Sequence, residues 1–457
     1  MTEIATHQTL QSFNPATGDL VGSVPITPVD QIPNLIQRSR KAQREWRQLS
    51  FEARAAALSE GGRVLVERAE ELGALLTREM GKPLREAIGE VRSCGLGMEE
   101  WTAEIAGALR PDELEDERTR STVYHDPHGV CAAITPWNFP ISMPHSLVIP
   151  ALMSGNSVLL KPSEETPLIA QQYVETLARF LPEDVLLIIH GADEQGKALV
   201  AGDVDIIAFT GSRETGKKIL GSASSGLKRV ILELGGKDPL IVLHDADLDQ
   251  AAKFAALNSF RNAGQVCVST ERIYVDERIA SDFEEALLRH AAQLPVGPGE
   301  KEETRIGPMV NSRQRDHVLA QVEAALRGGA RVVGPAPRAE GNFVHPVVLA
   351  DVNHAMDVMR EETFGPVACV MRFRNESEAV SLANDSPFGL GAVVFGSEAR
   401  AAEVARELDA GMIGINKGCG GASGSPWVGA KQSGYGFHSS REGHRQFTQV
   451  RVISRPK

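Results

Sequence analysis

Cys267, in the stretch NAGQVCVSTER, follows a run of small residues and precedes Val268 and Ser269. A thiolate placed there could attack a carbonyl carbon, but a single cysteine serves equally well as a small buried hydrophobe. Nucleophilic chemistry requires more from the chain: a base, a donor for an oxyanion and a partner cofactor. Four clusters offer such groups, each with a plainer structural reading beside it.

The first is ITPWNFP, directly after the apolar run GVCAAI. A strand ending in Pro-Trp-Asn-Phe-Pro leaves Asn138 on a turn with its amide free to donate, or else making local hydrogen bonds. The second is LLKPSEE at the carboxyl end of a predicted strand, where open α/β sheets bind ligands. Lys161 and Glu164 there suit the two hydroxyls of a ribose, or are a solvated lysine and a carboxylate favoured by a helix start. The third is FTGSRETGKKI, with Gly211 and Gly216 five residues apart between a strand and a helix. Its backbone N–H groups and helix N-terminus suit a pyrophosphate, although a glycine-containing turn needs no ligand. The fourth is ELGGKDP, in which Glu233 on a flexible glycine loop could swing to activate water, or could pair with Lys237.

The elements that must position these groups are visible as periodicities. Leu58, Leu65, Leu72, Leu75 and Leu76 recur at helical spacing up to the stop signals Gly81 and Pro83. From about residue 120, short β-rich runs alternate with helical stretches: STVYHDPHGVCAAI, SVLLKPS, DVLLIIHG, VDIIAFTGS and KRVILELGG. That alternation predicts βαβ units and a parallel sheet. LIVLHD, ARVVGP and GAVVFGS continue it in a second α/β segment, and QFTQVRVISRPK reads as a terminal strand seeking a partner in this chain or another subunit.

Bulk properties narrow the class. A chain of 457 residues exceeds what one core usually serves, so two or more domains are expected. A net charge of −12 without a basic stripe argues against nucleic acid and anionic membrane as partners. The five cysteines match neither CxxC nor a disulfide framework, no metal set is assigned, and free thiols fit a reducing cytoplasm. The N-terminal residues lack a secretory leader pattern, and no apolar run reaches the roughly 18 residues of a membrane span.

Taken together, NPATG, PWNFP, KPSE, FTGS, ELGGK, GQVC, EETFGPV and KQSGYG occur in the order found in the NAD(P)-dependent aldehyde dehydrogenase superfamily, which the chain resembles over nearly its whole length. Glu233 and Cys267 lie 34 residues apart, as in that family. The resemblance implies that Cys267 is the nucleophile, that Asn138 with the Cys267 backbone N–H stabilises the oxyanion, and that Glu233 is the base for thioester hydrolysis. It further implies cofactor contacts from Lys161, Glu164, Phe209, Gly211, Ser212, Gly216, Gly235, Glu362, Phe364 and Trp137. Glu164 would accept from a ribose 2′-hydroxyl and repel a 2′-phosphate, so NAD is preferred and NADP is possible.

The implied fold is α/β: a Rossmann-type cofactor domain (1–112 and 131–233), an α/β catalytic domain (234–438), and a small bridging β-element (113–130 and 439–457) that mediates a homodimer or homotetramer. Departures cluster near the C-terminus, where FHSSREGHRQF replaces the usual Gly-Arg-Glu after KQSGYG and PW stands where PFG is typical. Arg261 matches an arginine that grips a substrate carboxylate in semialdehyde dehydrogenases, but their second arginine is replaced by Ser146, and STER resembles enzymes of aromatic aldehydes. The substrate is therefore open between a semialdehyde and an aromatic or aliphatic aldehyde. A CoA-acylating enzyme, which would lack the base glutamate, and a non-catalytic binding protein on the same fold are the alternatives.

Overall fold

A computed structural model describes residues 8–457. Residues 1–7, at the start of the expected cofactor domain and within the stretch compared with a secretory leader, lie outside the described residues. The extended lead closes into an antiparallel hairpin, Thr9–Phe13 with Leu20–Pro25. Five helices follow between residues 32 and 109. The leucine stripe is divided between Phe51–Glu67 and Ala69–Met80, which break at Arg68 (φ −95°, ψ 9°), where no glycine or proline announces it. Ser50 starts the first of these by accepting from Ala53 N at 3.2 Å, and Gly81 ends the second at φ 93°. Leu58, Leu65, Leu72 and Leu76 share one buried cluster, so the break leaves the apolar face continuous.

Two large sheets carry the chemistry-bearing loops. The first has six strands in the order Gly434–Tyr435, Arg229–Leu234, Ile206–Gly211, Val130–Ile134, Ser157–Lys161 and Leu186–Ile188. All its pairings are parallel except the first, the two-residue strand antiparallel to Arg229–Leu234. Its central strands are continuous apolar runs because helices cover both faces. The second sheet has seven strands, with Thr270–Asp276 and Asp238–Val242 adjacent and parallel near its middle. The strand expected at ARVVGP shrinks to Arg331–Val332, an antiparallel edge.

The run STVYHDPHGVCAAI, read as one strand region, is two strands in different sheets. Thr119–Pro127 joins a three-stranded antiparallel sheet, while Val130–Ile134 enters the six-stranded one. Gly129 makes the switch at φ 139°, where a Cβ would stand 2.2 Å from Asp205 Oδ2. The terminal strand Thr448–Pro456 pairs along its whole length with Thr119–Pro127 of this same chain, so its partner is internal.

Candidate active site

The helix Leu248–Phe260, capped by Asp247 accepting from Gln250 N at 3.0 Å, runs into a left-handed turn. Asn262, Ala263 and Gly264 adopt φ of 52°, 55° and 71°. A Cβ on Gly264 would lie 2.0 Å from Gly365 O, so only glycine fits the crossing. The chain then turns back into the strand Thr270–Asp276, leaving Cys267 half-buried on the intervening loop. Its backbone N–H donates to no group among the described residues.

Gln265 locks this loop. Its Oε1 accepts from Val310 N at 2.9 Å and its Nε2 donates to Asn262 O at 2.9 Å. Its carbonyl receives Asn138 Nδ2 at 3.0 Å and Asn262 Nδ2 at 3.2 Å, while Asn262 Nδ2 also reaches Asn138 O at 3.1 Å. Asn138 is thus not on a free turn: one amide hydrogen is held by Gln265 and the second is left to donate. Asn138, Cys267 and Glu233 line one cavity of about 420 Å³ between the carboxyl ends of the parallel strands and the Cys267 loop.

Glu233 lies inside the strand Arg229–Leu234, paired on both sides, and not on a flexible loop; the two glycines follow it. Its Oε1 accepts from Trp427 Nε1 at 2.8 Å and its Oε2 is buried without a partner. Burial raises this carboxyl above its ordinary range, and the indole hydrogen bond counters the rise. The alternative pairing with Lys237 does not occur, since Lys237 Nζ donates to Glu271 and, at 2.9 Å, to Thr363 Oγ1. Burial pushes the Cys267 thiol well above its usual pKa, and the carboxylates of Glu233, Asp238 and Glu362 add to the effect.

The whole chain agrees with one family. Residues 2–453 match the model of the aldehyde dehydrogenase family. The chain belongs to the aldehyde dehydrogenases. It is 37% identical to glutarate-semialdehyde dehydrogenase of Pseudomonas putida, covering 98% of this chain and 94% of that one. It is 38% identical to the NADP-type succinate-semialdehyde dehydrogenase of Escherichia coli, covering 96% and 93%. A crystal structure of an aldehyde dehydrogenase from Brucella melitensis biovar abortus superposes with a TM-score of 0.95 at 35% identity, covering 98% of this chain and 94% of that one. The fold is therefore α/β of the aldehyde dehydrogenase type, and the enzyme is an NAD(P)-dependent oxidoreductase of aldehydes.

In this aldehyde dehydrogenase the segment EETFGPV is held from beneath. Glu271, buried, accepts from Lys237, from Thr363 N at 2.8 Å and from Phe364 N at 2.9 Å. Gln314 Nε2 reaches Phe364 O at 3.1 Å. Phe364, at φ 50°, turns its ring edge-on to Trp137, centroids 5.4 Å apart. Glu362 Oε1 accepts from Gly236 N at 3.2 Å, and withdrawal from solvent beside Glu271 pushes its carboxyl up to about 8.

The expected cofactor residues separate into three groups. Trp137, Gly211, Ser212, Gly235, Glu362 and Phe364 line the cavity that holds Cys267. Lys161 lines a second cavity of about 370 Å³, past the end of its strand, in which Asp193 and Lys218 also lie. Its Nζ donates to Pro162 O at 3.1 Å and has further donors for a ribose, whereas Glu164 stands half-buried beside that cavity without lining it. Phe209 and Gly216 belong to neither cavity. Phe209 is packed in the core of the six-stranded sheet, and Gly216 admits Leu234, whose Cδ2 would lie 2.5 Å from a Cβ there. These two shape the strand-to-helix turn from behind, and Ser212 caps its helix through Thr215 N at 3.4 Å.

Three participants escaped the sequence reading of roles. Gln265 stands inside GQVC, Gln314 lies on the helix Ser312–Arg327, and Trp427 stands where PFG is typical. Arg261 is exposed, lies with its guanidinium 5.7 Å from the Phe139 ring centre, and forms no salt bridge among the described residues. Ser146 turns its hydroxyl back to Met143 O at 2.9 Å.

Proposed function

We propose that Cys267, Asn138 and Glu233 perform the oxidation of an aldehyde to a carboxylic acid, and that the enzyme favours NAD and a carboxylate-bearing aldehyde. The observation that carries the catalytic assignment is that a thiol, a fixed amide donor and a buried carboxylate line one cavity. Cys267 Sγ gives its proton to solvent water and bonds the aldehyde carbon as the carbonyl π pair moves onto oxygen, forming a thiohemiacetal oxyanion beside the spare Asn138 amide hydrogen and the unpaired Cys267 N–H. When bound, NAD(P) supplies the acceptor for the hydride that leaves this carbon. The resulting thioester remains on Cys267. Glu233 takes a proton from water as the water oxygen attacks the acyl carbon, the C–S bond breaks, and the acid departs.

The residues present fit the cofactor. Lys161 keeps donors toward a cavity at the strand ends, and Glu362 with the Trp137 and Phe364 rings flanks the site beside Cys267. Glu164 disfavours a 2′-phosphate, which supports NAD over NADP. Arg261 supports the substrate class, because its exposed guanidinium forms no salt bridge among the described residues, with only the Glu86 carboxyl near it at longer range, and lies beside the ring next to Asn138, and because the chain is similar to glutarate- and succinate-semialdehyde dehydrogenases. The six-, seven- and three-stranded sheets support a division into cofactor, catalytic and bridging parts, with Gly434–Tyr435 reaching across from the catalytic portion to the cofactor sheet.

The same reading assigns a homodimer or homotetramer built through the three-stranded sheet, whose Leu114, Val450, Val452 and Ile453 are exposed. The five cysteines are free, as a cytoplasmic location maintains, and among the described residues no helix is long and apolar enough to cross a membrane.

Steady-state rates over aliphatic, aromatic and carboxylate-bearing aldehydes test the substrate reading. Arg261→Ala is expected to raise KM for semialdehydes selectively; an equal effect on neutral aldehydes refutes that role. CoA-dependent turnover would replace hydrolysis with acyl transfer to CoA.

A further inference from the structure

We propose that Trp427 is a positioning residue for the general base: its indole N–H holds Glu233 in the cavity beside Cys267, with one carboxylate oxygen tied and the other left for water. This inference rests on Glu233 being the base. Two departures of the C-terminal segment from the family pattern, the PW of SPWVG and the FHSS after SGYG, meet in space to build the device. Trp427 and His438 form an isolated antiparallel bridge, with Trp427 N donating to His438 O at 2.9 Å. Their rings lie nearly parallel, 16° between planes, with centroids 6.5 Å apart. His438 is buried, and its Nδ1 is paired with Ser439 Oγ at 3.1 Å. The backbone bridge fixes where the indole starts and the His438 ring lies parallel to it, and the indole's only polar atom is spent on Glu233 Oε1 at 2.8 Å.

The consequence for the base follows from the burial of the carboxyl. Glu233 is 4% exposed and has no cationic neighbour in hydrogen-bond contact, so its charged form depends on neutral donors. An indole N–H stabilises the carboxylate without neutralising it, which keeps the group ionised yet still basic. The bond also fixes which oxygen is free: Oε2, buried and unpartnered, is the atom left to accept a proton. A phenylalanine at this position would fill the space and supply none of this.

Trp427→Phe keeps the aromatic packing and removes the donor. Loss of a hydrogen bond to a charged group predicts a fall in steady-state kcat of about tenfold to a hundredfold at neutral pH, with the acid limb of the kcat profile moved upward by about one to two pH units. The direction is fixed: without the donor the carboxyl holds its proton to higher pH. The rapid burst of NADH, which precedes thioester hydrolysis, is expected to persist at near one equivalent per site. Glu233→Gln should itself abolish steady turnover, and Trp427→Phe added to it should change nothing further. An unshifted acid limb in Trp427→Phe, alongside an inactive Glu233→Gln, overturns the role of Trp427 and leaves the base in place. Turnover by Glu233→Gln at the wild-type rate overturns the base itself.

The wild-type protein provides a check that does not depend on the phenylalanine variant folding. In enzyme carrying ¹⁵N-labelled tryptophan, the Trp427 indole resonance should titrate with Glu233 and lose that titration in Glu233→Gln. A resonance indifferent to the Glu233 substitution contradicts the proposal.

Discussion

Glu271→Gln isolates the support beneath the EETFGPV segment that lines the Cys267 cavity. Glu271 serves three donors at once: the Lys237 ammonium and the backbone N–H groups of Thr363 and Phe364, at 2.8 and 2.9 Å. Glutamine keeps the volume but has one accepting oxygen, and its NH₂ group opposes either the ammonium or an amide donor. Lys237, 1% exposed, would then be a buried cation without its counter-ion. Breaking a buried pair in this way costs about 3–5 kcal/mol. Phe364 is held at φ 50°, a conformation that costs about 1–3 kcal/mol in a residue with a side chain and relaxes once its N–H is released. Phe364 would leave its edge-on contact with Trp137, and NAD affinity should fall about tenfold, the equivalent of about 1.4 kcal/mol. Chemical denaturation and quenching of protein fluorescence by NAD measure the two effects. A variant within about 0.5 kcal/mol of wild type, with an unchanged NAD Kd, refutes the reasoning.

Three further outcomes are expected. Asn138→Ala should lower kcat by about 10²- to 10³-fold while NAD binding survives, the loss typical of one oxyanion donor; a decrease below about threefold sinks that role. Glu164→Gln should raise kcat/KM with NADP relative to NAD on the order of tenfold, and an unchanged ratio would show that the carboxylate does not face the 2′ position. The pH dependence follows chiefly from Cys267, which acts deprotonated and whose thiol burial and the neighbouring carboxylates push well above its usual pKa; burial moves the Glu233 carboxyl in the same direction, upward from its ordinary range. Turnover and the rate of Cys267 alkylation by iodoacetamide in the free enzyme should therefore both rise with pH above neutrality; alkylation at its limiting rate by pH 6 would contradict the environment described.

The sequence was informative where chemistry and local geometry coincide. Cys267, Asn138 and Glu233 were singled out from short motifs because each sits at the end of a strand or in a tight turn, where residue type is constrained by neighbours in sequence. The parallel strands were readable because both faces are buried, so each appears as an unbroken apolar run. Phe209 and Gly216 illustrate the limit. They occupy the motif but face the core, and which side of a strand-to-helix turn a residue takes depends on packing against Leu234 and its neighbours. The break at Arg68 was invisible because no residue there forbids a helix. Trp427 was hidden for a different reason: it lies 194 residues from Glu233, and no local pattern reports a hydrogen bond across that distance.

The central claim is that an acyl group passes through Cys267 and leaves with the help of Glu233. Glu233→Gln mixed with NAD and aldehyde, quenched in acid and digested, is the direct test by mass spectrometry. The account predicts the acyl mass on the peptide bearing Cys267, accumulating to about one per site, and its absence in Cys267→Ala. An acyl group on any other residue, or sustained turnover by Cys267→Ala, would contradict it.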